Sequence, residues 1–159
     1  MVMIRPADPG EAEALSRLAR AAKAVWGYSA AQLDRWRDDL TLSAASIRRC
    51  PTFVAEVDGA LVGVAQVSID GSPWELEHLW VHPDWLRRGI GRALLARAME
   101  AVAEKGQAGL LIDADPHAEA FYLAAGAQRV GAVAAPIAGQ PDRVLPRLLL
   151  AAGGTGQRG

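Results

Sequence analysis

Six consecutive residues, Arg87-Arg88-Gly89-Ile90-Gly91-Arg92, concentrate residue types that bind phosphate. The two glycines let a backbone approach a ligand closely and turn several N–H groups to one side. A helix start directly after them adds unpaired donors and a partial positive charge. Three guanidinium groups complete the set, each able to pair bidentately with phosphate oxygens. Together they suit a di- or triphosphorylated ligand such as a pyrophosphate. The plainer reading is a Gly-containing loop with solvated arginines. Known nucleotide fingerprints do not fit, because the Rossmann pattern would need Gly or Ala where Leu94 stands, and no Walker Gly-Lys-Ser/Thr is present.

Elements of definite type must hold these residues. Val2–Ala7 reads as a first strand. Asp8-Pro9 opens a helix that runs to about Val25 through Leu15, Leu18, Ala19 and Ala22, and Gly27 ends it. Ser29 caps a second helix carrying Leu33, Trp36, Arg37 and Leu40 on one face, and a short third helical turn spans Ser43–Arg49. Thr52–Val57 and Leu61–Ile69 are strands joined by Asp58-Gly59, a hairpin signal. Trp74–His82 alternates as a fourth strand, with Glu75, Glu77, Leu79 and Val81 on one face and Leu76, His78 and Trp80 on the other. The long amphipathic helix from Gly89 to about Glu104 leads into a buried strand, Leu110–Ala114. Asp115-Pro116 starts a helix over His117–Ala125, and Arg129–Ala134 and Arg143–Leu150 are the last strands. The order β α α β β β α β α β β implies an α/β (α+β) sandwich with one parallel pair.

Composition bounds the function classes. The chain has 159 residues, 17 Lys+Arg against 18 Asp+Glu, net charge −1 and 51% hydrophobic residues. That suits one domain over 1–152, with 153–159 expected as a disordered tail. Near-neutral charge argues against a nucleic-acid partner held by excess positive charge. Lone Cys50 rules out a disulfide framework and a four-Cys zinc site. No run reaches the length of a membrane span, and Met1–Ile4 leads to Arg5 rather than a signal-peptide core, so a cytoplasmic location without membrane attachment is expected. Arg supplies 15 of the 17 basic residues, Lys23 and Lys105 being the exceptions.

The stretch His82-Pro83-Asp84-Trp85-Leu86-Arg87-Arg88-Gly89-Ile90-Gly91-Arg92-Ala93-Leu94-Leu95 resembles the acetyl-CoA signature of the GCN5-related N-acetyltransferase (GNAT) family. Asp115-Pro116-His117-Ala118-Glu119-Ala120-Phe121-Tyr122, closing at Gly126-Ala127, is similar to the family's second landmark. The element order matches over residues 2–150. The resemblance implies a GNAT fold: a mixed, mostly antiparallel sheet of six to seven strands, splayed between strands 4 and 5 and flanked by about four helices.

The resemblance also implies roles. Arg87, Arg88, Gly89, Ile90, Gly91 and Arg92 would wrap the pyrophosphate of acetyl-CoA, with Leu79, Trp80 and Val81 pairing along its pantetheine arm. Tyr122 would protonate the departing thiolate, as a phenol protonated at neutral pH can. Asp115 stands where Asn is common, so it reads as a helix cap or a CoA contact. Leu86 departs from the Gln or Arg often found three residues before the first glycine. An amine acceptor near pKa 10 must lose a proton, and Glu75 or Glu77 would take it directly or through water, unless these are surface carboxylates. Glu75 lies fourteen residues before Gly89, a spacing used by some members. Trp26, Tyr28 and Trp36 would line the acceptor wall, with Asp34, Asp38 and Asp39 nearby, unless Trp36 is core. The expected activity is acetyl transfer to a primary amine of a small molecule or peptide by direct attack in a ternary complex, with no metal. Cys50 lies outside this site, which argues against an acetyl-cysteine intermediate. A non-catalytic acyl-CoA sensor is the alternative, and the resemblance also allows a homodimer.

Overall fold

In the computed structural model, which describes residues 1–153, seven strands form one sheet in the order β1-β2-β3-β4-β5-β7-β6. The strands are β1 Met3–Pro6, β2 Thr52–Val57, β3 Ala60–Ser68, β4 Trp74–Val81, β5 Gly109–Asp113, β6 Gln128–Ala134 and β7 Val144–Ala151. Five α-helices accompany them: α1 Ala12–Ala24, α2 Ala30–Arg35, α3 Ala44–Arg49, α4 Ile90–Glu104 and α5 Glu119–Ala124. β4 and β5 pair in parallel at Trp74↔Leu110 and Glu75↔Leu111, whereas β1–β2, β2–β3, β5–β7 and β6–β7 are antiparallel. This is the mixed, mostly antiparallel sheet that the element order predicts. The expected tail falls, past Gly153, outside the described residues.

The chain divides into two compact units. One holds Met1–Ser68 with Glu77–Ala98, the other Ile69–Leu76 with the chain from Met99 onward. In the first unit, β3 is buried on both faces, which explains its near-continuous apolar run. Val64 joins Val54 and the α1 residues Leu15, Leu18 and Ala19 in one core cluster, closed by Leu40, Leu42 and Ile47. On the opposite face Gly63 lies under α4: a Cβ added there would meet Leu94 Cδ1 at 2.8 Å, Ile90 Cγ2 at 3.1 Å and the Trp80 carbonyl at 3.2 Å. A glycine inside a strand thus lets α4 seat close to the sheet. The Asp58-Gly59 hairpin forms as expected, with φ of +50° and +83° at the two turn residues. Ser29 and Ser43 cap α2 and α3 by accepting from the amides of Gln32 and Ser46. Arg5 ties β1 to the turn before α1 and to β2, with Nη2 2.7 Å from Glu11 and Nε 2.7 Å from Glu56.

In the second unit Leu110, Ile112 and Leu148 are fully or almost fully buried, and Ile112 pairs with Leu148 across the β5–β7 ladder. The helix expected over His117–Ala125 is shorter: a single 3-10 turn, Pro116–Ala118, precedes α5. Proline at the first position and the Asp115 side chain set that tighter turn. The Pro- and Gly-rich connection before β7 folds back on itself through an Ile137↔Gln140 bridge.

Candidate active site

The phosphate-type loop forms because two residues take left-handed backbone angles in quick succession. Arg87 has φ +64° and Gly89 φ +79°, and α4 begins at the next residue. The glycine adopts this angle at no steric cost, while a non-glycine residue there is strained. The first intrahelical bond of α4 runs from the Ala93 amide to the Gly89 carbonyl at 3.0 Å. The amides of Ile90, Gly91 and Arg92 therefore precede the helical ladder, where they can serve an anion. Arg87, Arg88 and Arg92 are exposed, and the Arg88 guanidinium stacks 4.6 Å over the Trp85 ring. Ile90 and Leu94 anchor the helix start beneath them, at 2% and 0% exposure. His82 braces the loop from its other end, accepting from the Asp84 amide at 3.1 Å through Nδ1. Leu86 is exposed and offers side-chain chemistry to no phosphate.

β4 carries the next group, in the same unit. Leu79, Trp80 and Val81 are half-buried and Glu77 is exposed. His78 is buried, and the Trp80 indole N–H donates to its Nδ1 at 3.0 Å. That bond requires the proton of the neutral ring on Nε2. Burial lowers the His78 pKa from its usual value to about 4, so the imidazole is neutral near pH 7. His78 thus orients Trp80, a role that alternation alone does not reveal.

Trp26, Tyr28 and Trp36, expected as an acceptor wall, do come together in this unit. Tyr28 meets Trp36 edge-on at 4.8 Å, and Trp26 lies 6.3 Å from Trp80. Trp36 and Trp80 also pack against the α1 core cluster, as the core reading of Trp36 expects. Lys23, which no sequence motif marks as a site residue, holds its ammonium among these rings. Its rarity beside 15 arginines, at one helical turn from Trp26, was the available signal.

The remaining candidates lie in the second unit. Tyr122 is buried on α5 with Phe121 edge-on at 5.1 Å. Burial first, and the charge of Asp115 second, push its phenol pKa up, so it keeps its proton. Asp115 caps the turn before α5, accepting from the His117 amide at 2.8 Å, with His117 Nδ1 also 2.8 Å away. Its other oxygen faces Arg143 Nη2 at 3.4 Å, in a pair whose side chains are 5% and 6% exposed. Arg143 also donates to the Ala135 carbonyl at 3.0 Å, so both charges are tied into backbone. Glu75 is half-buried at the parallel β4–β5 pairing, in the field of Arg147, which itself bonds Asp113 at 2.8 Å. Cys50 is buried in the first unit. Among the described residues no three His, Cys, Asp or Glu side chains converge as a metal cluster, and no helix is long and apolar enough to cross a membrane.

Sheet order, parallel β4–β5 pair and the loop opening α4 define a GNAT-type acetyltransferase domain. The sequence model of the Acetyltransferase (GNAT) family matches residues 13–127, and the chain belongs to that family. Among solved structures, a GCN5-related N-acetyltransferase from Rhodopseudomonas palustris superposes with a TM-score of 0.75 at 25% identity, covering 94% of each chain. The PaiA N-acetyltransferase from Thermoplasma acidophilum, solved with coenzyme A, shares the fold, with TM-score 0.73 and 20% identity over 96% of this chain and 98% of that one. By sequence, the mycothiol acetyltransferase of Clavibacter sepedonicus is 39% identical over 62 residues, 38% of this chain and 20% of that protein. The chain spans between a fifth and about two fifths of the curated relatives it matches.

Proposed function

We propose that this chain, as a single domain over 1–152, transfers an acetyl group from acetyl-CoA to a primary amine of a small molecule or peptide. The observation that carries the reading is the left-handed pair Arg87 and Gly89 feeding the start of α4 beneath three exposed arginines, in a chain of this family. The loop suits a pyrophosphate: open amides at a helix start, mobile cationic side chains and a glycine whose β-position meets open space. Acetyl-CoA, when bound, supplies the thioester carbonyl carbon that the amine attacks. Arg87–Arg92 hold its phosphates, and the β4 backbone at Leu79–Val81 extends along its pantetheine arm. An amide of that segment polarises the thioester oxygen. Tyr122, a phenol protonated at neutral pH, donates its proton to the leaving thiolate. Glu77, exposed on β4, or Glu75 accepts the proton of the amine. Asp115 serves as the cap of the turn that leads into α5 and as partner of Arg143.

A thiol-release assay over a panel of amines tests this, with acetyl-CoA affinity measured separately by calorimetry. At least one amine should release CoA. Tyr122→Phe should lower kcat by about 100-fold or more while leaving acetyl-CoA affinity intact. Tight acetyl-CoA binding with no thiol released by any amine would instead make the chain a non-catalytic acyl-CoA sensor.

A further inference from the structure

Lys23, in the last turn of α1, holds its ammonium within reach of four aromatic rings at once. Nζ lies 4.5 Å from the centroid of Trp36, 5.3 Å from Tyr28, 5.5 Å from Trp26 and 5.8 Å from Trp80. The rings form two touching pairs, Tyr28 with Trp36 and Trp26 with Trp80, around one charge. All five residues belong to the first unit and all are half-buried, so solvent reaches the group. The walls are firm. Trp36 and Trp80 pack on the α1 core cluster, and the bond from its indole N–H to His78 fixes the plane of Trp80.

An ammonium attracted to one exposed ring gains little, but several rings around a partly desolvated cation make the arrangement that recognises alkylammonium groups. A compact ammonium on a flexible four-carbon stem suits such a cage and can leave it without moving a backbone element. From this we infer that Trp26, Tyr28, Trp36 and Trp80 form a binding site for a substituted ammonium group, with Lys23 as its tethered, displaceable occupant. A free alkylammonium competes with Lys23 for the four rings. The assignment of this cage to a cationic acceptor amine rests on the acetyl-transfer reading; cation binding itself does not.

The full chain is titrated with choline chloride, and with its neutral isostere 3,3-dimethylbutan-1-ol, at constant ionic strength while tryptophan fluorescence is followed. Where an occupant leaves the cage open in a tenth of molecules, deleting it tightens apparent binding about tenfold. Lys23→Ala should therefore bind choline about tenfold or more tighter than the parent and respond weakly to the alcohol. Adding Trp36→Ala to that variant should abolish the response. Lys23→Met, which keeps an unbranched stem of similar length and drops the charge, gives the same ordering and serves if the alanine variant fails to fold. Equal affinity in parent and Lys23 variants overturns the occupant role. No choline response in a folded Lys23 variant, or an equal response to the alcohol, overturns the site. If choline binds as stated but no amine releases thiol, the cation site stands and the acetyl-transfer reading falls.

Discussion

Lowering the pH from 7 to 5 should destabilise this protein through one residue, His78. Its ring is 5% exposed, accepts the Trp80 indole N–H on Nδ1, and has a folded-state pKa lowered to about 4 by burial. In the unfolded chain the same ring titrates near 6.5. Because the folded value is depressed, the stability this group contributes is complete above the unfolded pKa. It falls as the pH drops from there toward about 4, since only the unfolded state takes up the proton. Between pH 7 and pH 5 the linkage relation gives a loss of about 2 kcal/mol. With a urea slope of about 2 kcal/mol/M, the unfolding midpoint shifts down by about 1 M. His78→Gln supplies the control: it keeps an acceptor for Trp80 and cannot titrate. Urea unfolding at both pH values, followed by tryptophan fluorescence, should show a steeper loss in the parent than in the variant. Carboxylates common to both proteins cancel in that difference. Equal pH slopes in parent and variant would refute the reasoning that a buried neutral imidazole is held there.

Gly89→Pro should remove CoA binding in a calorimetric titration, because proline cannot reach φ +79° and the loop before α4 must change course; unchanged affinity would contradict the loop assignment. Gly63→Val forces a side chain against Leu94, Ile90 and the Trp80 carbonyl, for a cost of about 1–3 kcal/mol read as a lower thermal midpoint. Asp115→Ala removes the carboxylate that faces the buried Arg143 guanidinium and should cost about 1–3 kcal/mol. Combining it with Arg143→Leu should recover part of that loss in chemical denaturation, and full additivity of the two changes would show that the pair is not coupled.

Much of this architecture is legible in local pattern. Asp58-Gly59 demands left-handed angles, so the hairpin follows from two residues. The change of period at Gly89 marks the start of α4, and serine caps mark α2 and α3. The proposal that Arg87–Arg92 bind phosphate likewise rests on local features, since glycine angles, helix amides and guanidinium groups are all consecutive in the chain. α5 is shorter than its sequence pattern implies, because a 3-10 turn and an α-turn share the same proline and cap signals.

What local pattern could not supply are the partnerships made across the fold. His78 reads as a strand residue on the face opposite the glutamates, yet its burial and its bond to Trp80 make it neutral and orienting. Asp115 reads as a cap, and only the folded chain brings Arg143 to it from 28 positions away. Lys23 looks like an ordinary basic residue ending a helix until Tyr28, Trp36 and Trp80 are folded around it. Conformational preference acts over a few neighbouring residues and is written in order along the chain. Desolvation and charge pairing depend on which distant side chains share a volume, and tertiary packing alone decides that.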